Sequence, residues 1–136
     1  MKKLIYFIIC IFLLSSVSAY PFGMLDRMAK QLESNDEYTT VMNIDRWVED
    51  SIEYKFYLRP RGMLRTLHDM EGDCSDKAVI TDYMLRHLGY ECRLVHGYAN
   101  IFTLHDWYEV KIDGEWYAPD VLYFKSLRKR GSGLWG

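Results

Sequence analysis

The stretch Gly72-Asp73-Cys74-Ser75-Asp76 puts a cysteine where a loop should turn into a helix. A thiol acts as a nucleophile in its thiolate form, and a helix N-terminus beside an imidazole lowers the thiol pKa enough to supply it. Cys74 meets the first condition by position. Asp73 or Gly72 can cap the helix, and Asp76 sets a carboxylate in its first turn, where free N–H groups and the helix dipole favour negative charge. The base has to be a histidine from elsewhere in the chain, held in turn by a carboxylate or an amide. The next 46 residues contain both, in His105 and Asp120.

His105 to Ile112 and Glu115 to Leu122 read as strands joined by Asp113-Gly114, a strong two-residue hairpin signal. With that loop, Ile112 faces Glu115 and paired positions sum to 227. Asp120 then falls opposite Trp107, and His105 opposite Leu122. Alternation puts His105, Trp107 and Asp120 on one face, with His105 and Asp120 as diagonal neighbours roughly 7 Å apart. A slip of one residue would separate them.

The chain can also carry this pair back to the cysteine. A helix over residues 74–88 rises about 1.5 Å per residue, or roughly 21 Å. A strand from Cys92 rises about 3.3 Å per residue, so six or seven residues recover that length if it runs back along the helix. Gly97-Tyr98 would lie level with Cys74, and a loop over residues 100–104 would deliver His105 there.

Other uses of these residues compete with this one. Cys74 and Cys92 could form a disulfide, but Cys92 should lie near the far end of the helix, beyond the roughly 7 Å that a disulfide spans between Cα atoms. No Cys-x-x-Cys or His-x-x-x-His pair offers metal-ligand spacing, so no metal or other cofactor is expected. His68 with Asp69 reads as a surface loop pair. His87 suits the dipole in the last helical turn, and His96 reads as a packed or half-exposed strand residue rather than a ligand. Cys74 could itself be a small buried core residue; the placement of His105 and Asp120 favours chemistry.

The elements that must hold these residues are legible from periodicity. Residues 24–58 look helical. Met24, Leu25, Met28 and Leu32 share one spacing, and Val41, Ile44, Trp47, Val48 and Ile52 another, with a break at Ser34-Asn35-Asp36. Tyr54, Phe56 and Tyr57 continue the second run toward the core. Arg59-Pro60-Arg61-Gly62 is a turn, followed by a short apolar segment with Met63, Leu64 and Leu67. The helix from Cys74 carries apolar residues on more than one side and stops at Gly89. Beyond it the period changes to two, with Cys92 to Tyr98 as a first strand. Helices followed by an antiparallel sheet make an α+β domain.

The 136 residues suffice for one domain, and 49% hydrophobic with 26% charged residues is a globular composition. The 11 Tyr, 6 Phe and 4 Trp supply large core surfaces with polar handles. Residues 1–19 stand apart. Lys2-Lys3, the apolar run Leu4 to Leu14 and the small residues Ser15 to Ala19 have the layout of a secretory signal peptide cleaved after Ala19. The alternative is an uncleaved membrane anchor, but eleven apolar residues fall short of the roughly 20 a spanning helix needs, which favours cleavage and leaves no stable membrane span expected after it. The expected domain covers residues 20–136, secreted or exposed at the cell envelope. Losing Lys2 and Lys3 with no acidic residue takes the formal charge from −2 to −4, which gives no footprint for nucleic acid. Lys125, Arg128, Lys129 and Arg130 read as a solvated basic tail.

Gly72 to Ala78, then Leu88 to Tyr98, then His105-Asp106-Trp107-Tyr108-Glu109-Val110, then Asp113 to Tyr117 and Asp120 together resemble the core of the transglutaminase-like superfamily, over about residues 40–122. The resemblance implies a papain-like arrangement, with the cysteine helix packed on the sheet that bears His and Asp. It casts Cys74 as nucleophile, His105 as base and Asp120 as the residue orienting it. It also implies attack of the thiolate on an amide carbonyl and a thioester resolved by water or an amine. The Cys74 backbone N–H would be one oxyanion donor, and Trp47, Tyr54 or Tyr57 a second. The residue after the histidine is usually small in this superfamily; Asp106 departs from that and should point away from the His105 face. The calcium-site segments of the large animal members are absent, so calcium dependence is not implied.

Three functions remain open on this reading. The first is peptidase or amidase hydrolysis of a peptide or protein substrate, with cell-envelope proteins among the candidates. The second is transamidation at a protein glutamine, and water access to the thioester decides between the two. The third is a non-catalytic binding module that keeps the fold.

Overall fold

The computed structural model describes residues 21–100, 103–119 and 127–130. The leader-like residues 1–19 and Asp120 lie outside them. Helix α1 spans Phe22–Leu32 and helix α2 spans Glu37–Ser51, with the expected break between them. Asp36 caps α2, its carboxylate accepting the Thr39 N–H at 2.7 Å. The helical stretch expected to reach residue 58 ends earlier. Past Ile52, Glu53–Tyr54 form strand β1, which pairs in parallel with β2, Glu71–Gly72. Here backbone pairing prevails over the apolar pattern: Tyr54 and Phe56 are exposed rather than packed in the core.

Helix α3, Met63–Asp69, follows the Arg59–Gly62 turn. His68 and Asp69 do pair at the surface, 2.6 Å apart, but within the last turn of α3 and not in a loop. Helix α4 runs Cys74–His87. Gly89, at φ +94°, ends it in a Schellman turn, with the Gly89 N–H on the Arg86 carbonyl at 3.0 Å and the Tyr90 N–H on the Leu85 carbonyl at 3.1 Å.

The antiparallel sheet has the order β3, Cys92–Asn100; β4, Thr103–Ile112; β5, Glu115–Pro119; β6, Leu127–Lys129. The connection expected over residues 100–104 is shorter, because the backbone stays paired through Asn100 and from Thr103 past an irregularity between Tyr98 and Asn100. The hairpin has the register anticipated: Ile112 pairs with Glu115, Lys111 with Trp116 and Val110 with Tyr117. Asp113 and Gly114 both take positive φ, 50° and 81°, as a type I′ turn needs. The basic segment expected to be a solvated tail contributes β6 instead. Leu127 is buried beneath it, and its N–H donates to the Tyr38 hydroxyl at 3.0 Å.

Helix α4 sits at the centre, with β4 and β3 on one side and α2 and α1 on the other. Ile80, Met84 and Leu85 meet Ile44, Val48, Val110 and Ile112 in one core. Truncating a fully buried side chain such as Leu85 to Ala costs roughly 2–5 kcal/mol in cores of this kind. Burying α4 therefore fixes the height of Cys74 against the sheet. The architecture is α+β: among the described residues, four helices and an antiparallel sheet.

Candidate active site

Cys74 is the first residue of α4, and its turn is held by an acidic clasp. The Asp73 carboxylate accepts the Asp76 N–H at 3.1 Å, and Asp76 Oδ2 accepts the Asp73 N–H at 3.3 Å, closing a capping box. Asp76 Oδ1 also accepts the N–H groups of Arg61 and Gly62, at 3.0 and 3.1 Å. The Lys77 N–H goes to the Asp73 carbonyl at 3.1 Å. The Ser75 N–H also bonds the Asp73 carboxylate, which leaves the Cys74 N–H as the first-turn donor outside the clasp. Gly72 is required for packing and not for φ. A Cβ there would lie 2.8 Å from Asp76 Cβ and 2.9 Å from Thr66 Cγ2.

A small cleft of about 40 Å³, room for roughly two waters, opens at this helix end. Cys74 and His105 both line it, as does Pro119, the residue before Asp120. Strand β4 brings His105 there from opposite Gly97 on β3, the strand return anticipated from chain length. The His105 and Trp107 rings stack on their shared face, with centroids 6.1 Å apart and planes 17° apart. Gly97 makes room for that stack, since a Cβ would meet the Trp107 ring at 2.9 Å. Burial pushes the His105 imidazole below its ordinary value of 6.5, against smaller opposing pulls from Asp106 and Glu49. It is therefore neutral near pH 7, in the state that accepts a proton.

Asp106 does alternate off the His105 face, and it is half-buried and bonded rather than free in solvent. It continues the inward row of Tyr108, Val110 and Ile112 to the start of α4. There it accepts the Ser75 hydroxyl on one carboxylate oxygen and meets His96 Nδ1 on the other. Burial works to raise this carboxyl, and the bonds from Ser75 and His96 outweigh it and hold it below the usual carboxylate value. His96 is exposed rather than packed or half-exposed, and its Nδ1 meets the Asp106 carboxylate.

The cleft also holds residues not anticipated from the sequence. Asp45 Oδ1 accepts the buried Tyr108 hydroxyl at 3.0 Å, and burial raises the Asp45 carboxyl to about 6. Glu49 pairs with Lys77 Nζ at 2.9 Å. Asp45 and Glu49 are one helical turn apart on the Val41–Ile44–Val48–Ile52 stripe, so the i, i+4 spacing of two acids on an apolar face was the available sign. Cys74 and Cys92 are both free thiols. Cys92 is buried, and burial pushes its thiol up to about 12, which leaves it unreactive.

Of the aromatic residues considered as oxyanion donors, Tyr57 donates its hydroxyl to Glu71 at 2.9 Å, and Trp47 packs against the core. Tyr54, paired with Gly72, lies beside the turn that carries Cys74. Its phenol is pushed up first by burial and then by the charge of a Cys74 thiolate, so it stays protonated and able to donate.

The family model described as the transglutaminase-like superfamily matches residues 26–121. No curated protein matches the chain. Two solved structures share the fold. One is a candidate cysteine protease from Cytophaga hutchinsonii, 23% identical, with a TM-score of 0.63 over 79% of this chain and 40% of that one. The other is described as a TGase, 15% identical, with a TM-score of 0.61 over 85% of this chain and 37% of that one. This chain thus spans about two fifths of each.

Proposed function

The chain belongs to the transglutaminase-like superfamily, and from that premise we propose that it is a secreted thiol enzyme hydrolysing amide bonds of peptides or proteins. The observation that carries this reading is the shared cleft, with Cys74 at the open end of a capped helix and a half-buried, neutral His105 lining the same space. In this mechanism His105 takes the Cys74 proton and the thiolate attacks the amide carbonyl. The oxyanion is held by the Cys74 N–H and the Tyr54 hydroxyl. Collapse breaks the C–N bond, and His105 returns the proton to the leaving amine. Water, deprotonated by the same imidazole, then cleaves the thioester to a carboxylic acid and restores the thiol. Asp120, next in sequence to a cleft residue, orients the imidazole in this reading, as the hairpin register supports.

A glutamine peptide incubated with a labelled amine separates the two outcomes of a thioester. Release of ammonia or a peptide fragment without label incorporation is expected. Label built into the peptide would overturn hydrolysis in favour of transamidation. Secretion rests on the pattern of residues 1–19, and a mature N-terminus at Tyr20, read by mass spectrometry, is the expected result.

A further inference from the structure

Residues 55–62 cross beside the nucleophile turn and are bonded to it at both ends. The Lys55 N–H donates to the Gly72 carbonyl at 2.9 Å, and the Arg61 and Gly62 N–H groups donate to Asp76 Oδ1. Gly72 and Asp76 lie two residues before and two after Cys74, so whatever reaches the thiol from this side passes over the loop. The loop and the start of α3 enclose a groove of about 450 Å³ lined by Tyr57, Leu58, Arg59, Pro60, Arg61 and Arg65, within the size range of ligand pockets.

The charges in the groove are not equivalent. Arg61 is spent internally: it pairs with Asp69 and Glu71, its guanidinium lies 4.5 Å over the Tyr57 ring, and Lys55 also holds Glu71. Arg59 and Arg65 are exposed, and among the described residues no carboxylate is recorded against either. Beside them, Leu58 is 94% and Phe56 71% exposed. Two free guanidiniums next to apolar side chains fit a peptide carrying a carboxylate adjacent to an apolar residue, since arginine binds carboxylates through paired N–H donors. We propose that this groove is a substrate subsite for acidic peptide segments, placing carboxylate-bearing residues a short distance along the chain from the bond cleaved at Cys74. The substrate role rests on the reading of Cys74 as nucleophile.

The test uses the full chain carrying Cys74→Ala, which prevents turnover, and two fluorescein-labelled peptides, one of alternating Glu and Leu and one of alternating Gln and Leu. At low salt the Glu peptide should bind about tenfold tighter or more by anisotropy, a preference that added salt weakens. Arg59→Gln with Arg65→Gln should abolish the preference, and Arg59→Lys, which keeps the charge and loses the paired donors, should keep only part of it. Equal affinity for the two peptides, or a preference that survives the double substitution, would overturn the subsite. So would phosphatidylglycerol vesicles captured through the same arginines without peptide binding. Alkylation of Cys74 in the unsubstituted protein separates the two claims. Slow alkylation with the peptide preference intact contradicts the enzyme reading, and fast alkylation without a preference contradicts the groove alone.

Discussion

Cys74 and His105 could be picked out as residues because local chemistry marks them: a cap before one, a strand period around the other. Their neighbours were hidden because charged side chains are ordinarily read as solvent-facing. Asp106 shows the cost of that assumption, since it bridges the cysteine helix and the histidine strand through Ser75. Asp106→Ala should lose about 1–2 kcal/mol in urea unfolding, the cost of leaving the Ser75 hydroxyl unpaired, and Asp106→Asn, which still accepts, should lose less. Asp45 is the second case. Its carboxyl is raised from 3.8 to about 6 in the folded protein, so the native state holds this proton more tightly than the unfolded chain. The stability it contributes is complete below pH 3.8 and is lost as pH rises through about 6. Asp45→Asn keeps an acceptor for Tyr108 and carries no charge. The unfolding free energies of the two proteins should therefore diverge as pH rises from 3.8 to about 6, in favour of the variant, levelling at roughly 3 kcal/mol near neutral pH. Equal pH profiles would contradict this.

Among the elements, α4 and the β4–β5 hairpin were the most legible, since their ends carry explicit chemistry: Asp73 and Asp76 at one terminus, Gly89 at the other, Asp113-Gly114 at the turn. Strands β1 and β2, two residues each, are too short to show a period, and β6 was masked by its basic residues. The close approaches at the two glycines are likewise visible only in three dimensions. Gly72→Ala should cost about 1–3 kcal/mol by overpacking against Asp76 and Thr66, and more than a substitution confined to the surface. Gly97→Ala pushes on the Trp107 ring that stacks on His105. It should lower kcat more than it shifts the melting temperature; an unchanged kcat would show that the stack does not position the base.

At the scale of the whole molecule, the sheet is tied together by one buried carboxylate. Glu109, fully buried on β4, is held by Arg93 of β3 at 2.6 Å and by Arg130, just past β6, at 3.0 Å. Two strands and the turn after β6 meet at this group, the last supplied by the segment that sequence patterning left without structure. Replacing both arginines with alanine leaves the charge buried and unpaired, and should cost roughly 3–5 kcal/mol in urea unfolding; either single change should cost less. That tie keeps β4 in the register that carries His105 to the cleft of Cys74, and the convergence of two distant segments is the central claim. Its most direct test is the rate at which iodoacetamide alkylates Cys74, followed peptide by peptide with mass spectrometry from pH 5 to 8, in the folded protein and in urea. The account predicts labelling faster in the folded than in the unfolded chain, with an acid limb below pH 6.5 set by His105. It also predicts a loss of roughly 100-fold in His105→Ala. Labelling of folded Cys74 no faster than in urea, and indifferent to His105→Ala, would contradict it.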